Sequence, residues 1–380
     1  MVVQQFLRWI ETAPEGRRAE AAFALGRAYL LCDPDEEVRG GMEAAITVLL
    51  DCDSPDVRFG LADALSDSPL APRHVILTLA ADQPRVAAAV LARSPLLIDA
   101  ELVDTIAAAS EPLQIAVASR PVLSSTVSAA IAEVGERNVC LALVDNPGAT
   151  IARISFKRIA ERLGEDAEVR EALFARGDLS ADVHQMLVRH VGDLLGNLIV
   201  MKAWVNEARA KAVTREACDR ATVAIAAETE TEELAALVEH LRITGQLTTA
   251  LILRAVCAGN IDFFEAALAA LAGVPVRRVA SLVRAGRMRV LRAVYAKACL
   301  PPLAFDAFAA ALDTWRRIAE QVDGPKDRYR FTRQVVDAVI AKYADMTDGE
   351  ANDLAAMLRR FAADQARDAA RDFALEPSAA

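Results

Sequence analysis

Four stretches decide the fold: Leu61-Ala-Asp-Ala-Leu65 before Pro69, Ala87-Ala-Ala-Val-Leu91 before Pro95, Leu113-Gln-Ile-Ala-Val117 before Pro121, and Val139-Cys-Leu-Ala-Leu143 before Pro147. The prolines stand 26 residues apart each time. In every stretch apolar residues lie four apart, on one face of a helix. Proline cannot continue a helix and pushes the residue before it out of the α region. Each unit therefore reads as a short helix, a proline turn and a second helix, such as Asp99 to Ala108 or Ser124 to Val134, with Asp99 and Ser124 as N-cap residues. Start signals precede three of the first helices: Ser54-Pro55, Gln83-Pro84 after Asp82, and Glu111-Pro112 after Ser110. A hairpin of about 26 residues cannot bury its apolar face alone, so copies must stack. Leu65, Leu91, Val117 and Leu143 are the expected equivalent core positions.

Working outward, Val2–Glu11, Arg17–Leu31 and Glu36–Leu50 read as three helices capping the stack. The fragment Leu25-Gly26-x-x-Tyr29 echoes a tetratricopeptide signature but occurs once, so it marks no array. Beyond Gly177 the 26-residue rhythm fades, while helical periodicity persists near 180–195, 197–212, 214–228, 230–243, 246–258, 261–272, 275–285 and 287–298. Gly245, Gly259, Gly273 and Gly286 punctuate the last of these as C-cap signals. Pro301-Pro302 is a hard break, followed by expected helices at 303–321, 327–344 and 348–373, the last read as a loosely attached tail helix. The expected architecture is all-α: an α-solenoid of HEAT-like hairpins with a helical C-terminal region. The expected divisions are 1–52 (capping helices), 53–178 (repeat solenoid), 179–300 (a second hairpin region) and 301–380 (C-terminal helices and tail).

Composition agrees. Of 380 residues, 54% are hydrophobic but only 5% aromatic. Alanine-rich, aromatic-poor chains favour closely packed helices. The longest uncharged run, Pro121 to Ala132, is too short for the ~20 residues of a membrane span. Met1 to Glu20 carries six charged residues and no long apolar run, so it reads as no secretory signal. Cys32, Cys52, Cys140, Cys218, Cys257 and Cys299 form no CxxC and read as reduced, mostly core residues of a cytoplasmic protein.

Two stretches resemble a known family. Val57-Arg-Phe-Gly-Leu-Ala-Asp-Ala-Leu65 through Ser94-Pro-Leu-Leu-Ile-Asp99 to Asp145-Asn-Pro-Gly148 is one; Leu253-Arg-Ala-Val-Cys-Ala-Gly-Asn-Ile-Asp-Phe-Phe264 through Leu300-Pro-Pro302 is the other. They are similar to an alphaproteobacterial domain-of-unknown-function family with HEAT-like helical repeats, over most of residues 50–305. The resemblance implies fold and a bacterial cytoplasm. It brings no catalytic residues.

Catalytic and cofactor motifs are missing. His74, His184, His190 and His240 include no i,i+4 metal pair and no HExxH, and no phosphate-binding glycine loop or Gly-x-Ser-x-Gly occurs. Gly192 and Gly196 fall in a helical pattern and read as close packing. Acidic pairs such as Asp33/Asp35 and Glu232/Glu233 suit helix starts. No metal, cofactor or catalytic residue is expected. One stretch differs: from Ala266 to Phe305 there is no Asp or Glu, among 53 in the chain. It holds Arg277, Arg278, Arg284, Arg287, Arg289, Arg292 and Lys297. Arginine forks suit carboxylate and phosphate. These residues form either an anion- or partner-binding face or a set of internal ion pairs. The expected apolar stripes beneath them are Val276, Val279, Ala280 and Val283, then Val290, Leu291 and Val294.

The leading functional expectation is a non-enzymatic scaffold or adaptor whose partner is another protein. A nucleic-acid-binding or processing protein is the alternative, opposed by a net charge of −10. An anionic small-molecule sensor is the third. Partner identity and oligomeric state stay open.

Overall fold

The computed structural model describes residues 2–31, 36–202, 204–319, 328–343, 356, 359–363 and 366–367. The described residues are helical apart from turns and one isolated bridge between Leu123 and Ala149. They divide into two compact units, Met1–Leu179 and Ser180–Ala380.

The first unit holds α1 (Val2–Thr12), α2 (Glu15–Leu31), α3 (Glu36–Leu49), α4 (Pro55–Leu65), α5 (Arg73–Ala80), α6 (Pro84–Arg93), α7 (Asp99–Ala108), α8 (Glu111–Ala118), α9 (Ser125–Val134), α10 (Arg137–Asp145), α11 (Arg153–Leu163) and α12 (Ala167–Ala175). Helices α2, α4, α6, α8, α10 and α12 pack in a row, each on the next, and α7, α9 and α11 pack in a second row. Pro55 and Pro84 open α4 and α6, and Pro112 is the second residue of α8. Ser124 caps α9, its Oγ accepting from the Val127 N–H at 3.3 Å. Asp99 is instead the first residue of α7. The cap is Ile98, whose N–H donates to Glu101 Oε2 at 3.0 Å. The four prolines occupy the same place, just past α4, α6, α8 and α10. Helices α5, α7 and α9 start in step with them, while α11 starts at Arg153, two residues late. Leu65, Leu91, Val117 and Leu143 are all sealed from solvent, at most 1% exposed.

Successive helices of the first row are tied through residues just past their ends, three of which, Ser94, Arg120 and Asn146, precede a proline. Ser94 and Asn146 are held extended, at ψ 121° and 110°. That is the conformation a following proline demands. Arg120 donates to the carbonyls of Leu91 (2.5 Å) and Ser94 (2.7 Å). The Asn146 amide donates to Ala118 and Arg120 carbonyls, both at 2.7 Å. Arg176, after α12, donates to the carbonyls of Asn146 (2.9 Å) and Val144 (3.2 Å). Each rung's own carbonyl accepts from the next rung. These bonds satisfy carbonyls that a helix end leaves without partners. Arg120 is 8% exposed, and burial pulls its pKa below the usual arginine value, with Asp99 opposing. Gly148 lies so close to the Pro121 carbonyl that a Cβ would collide with it. At the opposite helix ends, Arg58 grips Asp82 through two bonds (2.5 and 2.9 Å), and Arg137 reaches Asp166 at 2.8 Å. The Arg58 fork holds the Asp82 carboxyl below its ordinary range.

The second unit holds α13 (Ala181–Met201), α14 (Glu207–Glu228), α15 (Thr231–Ile243), α16 (Thr249–Cys257), α17 (Ile261–Ala272), α18 (Val276–Arg284), α19 (Met288–Lys297), a 3-10 turn (Pro302–Ala304), α20 (Phe305–Ala319) and α21 (Arg328–Tyr343). Helices α16 and α17 are its centre, with Leu251 through Cys257 buried without interruption. Two long helices, α13 and α14, replace the three expected between 180 and 228. No proline interrupts them, and the glycines of α13 serve packing. A Cβ at Gly192 would strike Cys218 Sγ, and one at Gly196 would meet Thr214 at 3.3 Å. Gly245, Gly259, Gly273 and Gly286 all have positive φ, between 60° and 85°. At each turn the next N–H reaches five residues back, as from Gln246 to the Leu241 carbonyl at 2.8 Å and from Arg287 to Leu282 at 3.1 Å. This is the left-handed helix ending for which glycine is suited. Cys299, after α19, also has positive φ, 55°, without being glycine. Most of the expected helix 348–373 lies outside the described residues. Phe361 within it is buried in the unit's core under the Arg254 guanidinium, at 5.5 Å, so at that point the tail is packed rather than loose.

Leu91→Ala should lower unfolding free energy by about 2–5 kcal/mol. Asn146→Ala, which leaves two carbonyls without donors, should lower it by about 1–3 kcal/mol. Urea titration measures both. Cys299→Gly should raise stability by about 1 kcal/mol, since a left-handed non-glycine residue is strained by roughly that amount.

Candidate functional site

The arginine-bearing stretch folds as the hairpin α18–α19. Pro275 caps α18, and Gly286, at φ 63°, turns the chain directly into α19. Spacings of three and four place Val279, Leu282 and Val283 on one face of α18, and Leu291, Val294 and Tyr295 on one face of α19. These six are buried in the core with α17. Val276 and Val290 belong to neither face; they are exposed, at 41% and 44%. That corrects the expected stripes, in which both counted as core and Leu282 and Tyr295 were missing. Tyr295 meets Phe305 edge-on at 5.2 Å and donates to the Pro301 carbonyl at 3.0 Å, which fixes the hairpin to the start of α20.

With that face buried, all seven cationic residues are exposed. Arg292 is internally paired: it bonds Asp306 at 2.7 Å and stacks over the Phe305 ring at 4.5 Å. The side chains of Arg277, Arg278, Arg284, Arg287, Arg289 and Lys297 make no hydrogen bond or ion pair with any described residue. Arg277 and Arg284 are seven apart, on one face of α18. Arg316 adds a guanidinium at the turn, packed against Gly286 so tightly that a Cβ there would collide with it, and it is held by Asp313 at 2.7 Å. Beneath the hairpin Glu265 of α17 is 3% exposed. Burial and the neighbouring Asp262 push its carboxyl up to about 7, against a smaller downward pull from Arg284.

A second feature of this unit was not legible in the sequence. Helices α13 and α14 and the turn between α15 and α16 enclose a polar cavity of about 280 Å³. Gln185, 1% exposed, is its fixed element: its amide donates to Gln246 Oε1 at 2.6 Å and its Oε1 lies 3.1 Å from His240 Nε2. Arg189, Arg215, Cys218, Asp219 and Thr222 line the remainder. Burial pushes the Asp219 carboxyl above its ordinary value, against Arg254, Arg215 and Arg189. Its walls come from residues as far apart as Gln185 and Leu251, so no local spacing announces them.

In the first unit a shallower cleft of about 450 Å³ runs past Leu77, Leu97 and Leu113. Two of its carboxylates are engaged, Asp82 by Arg58 and Glu101 by Arg73 at 2.6 Å. Among the described residues no three His, Cys, Asp or Glu side chains gather as a metal-ligand set, and no helix is long and apolar enough to cross a membrane. Burial raises the Cys257 thiol to about 12, well away from a reactive thiolate.

Residues 86–349 match the family described as uncharacterised protein conserved in bacteria (DUF2336). The chain belongs to that family. The match takes in α7 to α21 and therefore both the arginine hairpin and the polar cavity. It starts later and ends later than the 50–305 span on which the sequence resemblance rested. No curated protein and no solved structure matches the chain.

Glu265 gives a signed expectation for this DUF2336 protein. Its folded value lies near 7, above the reference 4.5, so the folded state binds the proton more tightly. Its contribution is fully present below about 4.5 and is lost as pH rises through about 7. Glu265→Gln should therefore flatten the decline in stability over that window. Urea unfolding of both proteins at about pH 5 and about pH 8 reads the difference.

Proposed function

We propose that this DUF2336 protein is a non-enzymatic HEAT-like α-solenoid that acts in the bacterial cytoplasm as a scaffold or adaptor, and that α18–α19 docks an acidic segment of a partner protein. The observation carrying this reading is the six exposed cationic side chains on one hairpin that make no hydrogen bond or ion pair with any described residue. In an acidic chain with carboxylates to spare, ion pairing would be the easy outcome. Among the described residues only Arg292 takes it. Exposed surface pairs are worth little, so leaving the others open destabilises the fold only slightly. Repetition of short hairpins in the first unit supports the scaffold reading, because stacked repeats present extended surfaces. Five of the six are arginine, whose planar fork binds carboxylate through two bonds. Nucleic acid offers the same anionic chemistry, but the net charge of −10 opposes approach of a polyphosphate.

The test compares poly-L-glutamate with duplex DNA by fluorescence anisotropy across a salt series. Poly-L-glutamate should bind and weaken as salt rises. Arg277→Glu, Arg284→Glu and Arg289→Glu combined should reduce that binding at least about tenfold, roughly 1.4 kcal/mol, with each single change altering stability by less than about 0.5 kcal/mol, as expected of exposed residues. Undiminished binding by the triple variant, or tighter binding of DNA than of poly-L-glutamate, overturns the reading.

A further inference from the structure

The polar cavity of the second unit has the makings of a ligand site independent of the arginine hairpin. Arg215 and Asp219 lie one turn apart on α14, both on the cavity wall. An i,i+4 pair of opposite charge is close enough to form an ion pair. These two do not, and neither makes a hydrogen bond or ion pair with any described residue. A cation and a carboxylate therefore stand open to the same space. The opposite wall is rigid, because Gln185 is tied to both Gln246 and His240. Rigid walls lower the ordering a ligand must bring about.

We propose that this cavity binds a small zwitterion of the α-amino-acid class, its carboxylate on Arg215 and its ammonium on Asp219. The arrangement of donors and acceptors supports that class. Arg215 and Arg189 donate, so one end of the ligand must be an anion. Asp219 is the carboxylate among the lining groups, so the other end must be a donor. Arg189 is only loosely held, 3.4 Å from Asp193, and is the second guanidinium within reach of the anionic end. Leu241, Leu251 and Cys218 supply an apolar patch for a side chain. The volume of about 280 Å³ falls at the small end of the roughly 300–1,000 Å³ usual for ligand sites, which favours a ligand of amino-acid size over a nucleotide. An ammonium beside Asp219 also offsets the burial that raises its carboxyl.

The experiment is thermal unfolding and titration calorimetry of the full chain with the proteinogenic L-amino acids, one at a time, at millimolar concentration. Propionate, glutarate, inorganic phosphate and AMP serve as comparators. At least one amino acid should raise Tm in a saturable manner, with its deaminated acid binding at least about tenfold more weakly. Arg215→Ala and Asp219→Asn should each weaken that binding at least about tenfold while leaving the ligand-free Tm within a few degrees, because Arg215 is exposed and the asparagine is isosteric. If no amino acid shifts Tm, if phosphate or AMP does so in their place, or if both variants bind like the parent, the assignment is wrong. None of these outcomes bears on the α18–α19 hairpin, whose residues take no part in the cavity.

Discussion

A helix that ends in a turn leaves its last carbonyls without donors, and the first unit depends on how they are satisfied. Proline follows α6, α8 and α10 closely, and after α6 and α10 the residue before it, Ser94 or Asn146, is held extended. Arg120, Asn146 and Arg176 then reach back one repeat and donate to those carbonyls. The bonds run from one repeat to the next, so each copy is completed by its neighbour. The apolar side shows the same dependence: Leu65, Leu91, Val117 and Leu143 are sealed on helices that pack against their neighbours in the row. Polar and apolar requirements thus select the same stacking.

The second unit meets the same requirement with different chemistry. Its short helices end in left-handed glycine turns, where the backbone bonds to itself and needs no side chain from a neighbour. That frees side chains near the turns. Arginines around Gly286 project outward because no carbonyl calls on them, whereas Arg120 and Arg176 in the first unit are consumed by structure. The same residue type therefore has two fates.

Two features of the second unit stand apart from its packing. The hairpin α18–α19 carries positive charge on an acidic chain, over a glutamate held near neutrality. The cavity beside α14 keeps Arg215 and Asp219 apart although their spacing would let them meet. Both place polar groups where the fold does not use them. Each is read as a binding surface for that reason, the first for an acidic protein segment and the second for a small zwitterion.

Much of the local structure was determined by the sequence alone. Helix punctuation was legible because proline and glycine act through backbone sterics that need no partner, which is why the turns at Pro69, Pro95, Pro121, Pro147 and the four glycines could be placed in advance. The arginine cluster was legible because a run without carboxylates is a property of the chain itself. Other features were not. The expected helix boundary between 195 and 197 does not exist, although Gly196, read as close packing, does meet Thr214. Val276 and Val290 fit a stripe by type but not by angle. The donor–carbonyl ladder, the pairing of Arg292 with Asp306, and the cavity joining Gln185 to Gln246 were decided only by tertiary structure. Each depends on the distance between groups on different helices, and periodicity along one helix carries no information about what another brings near.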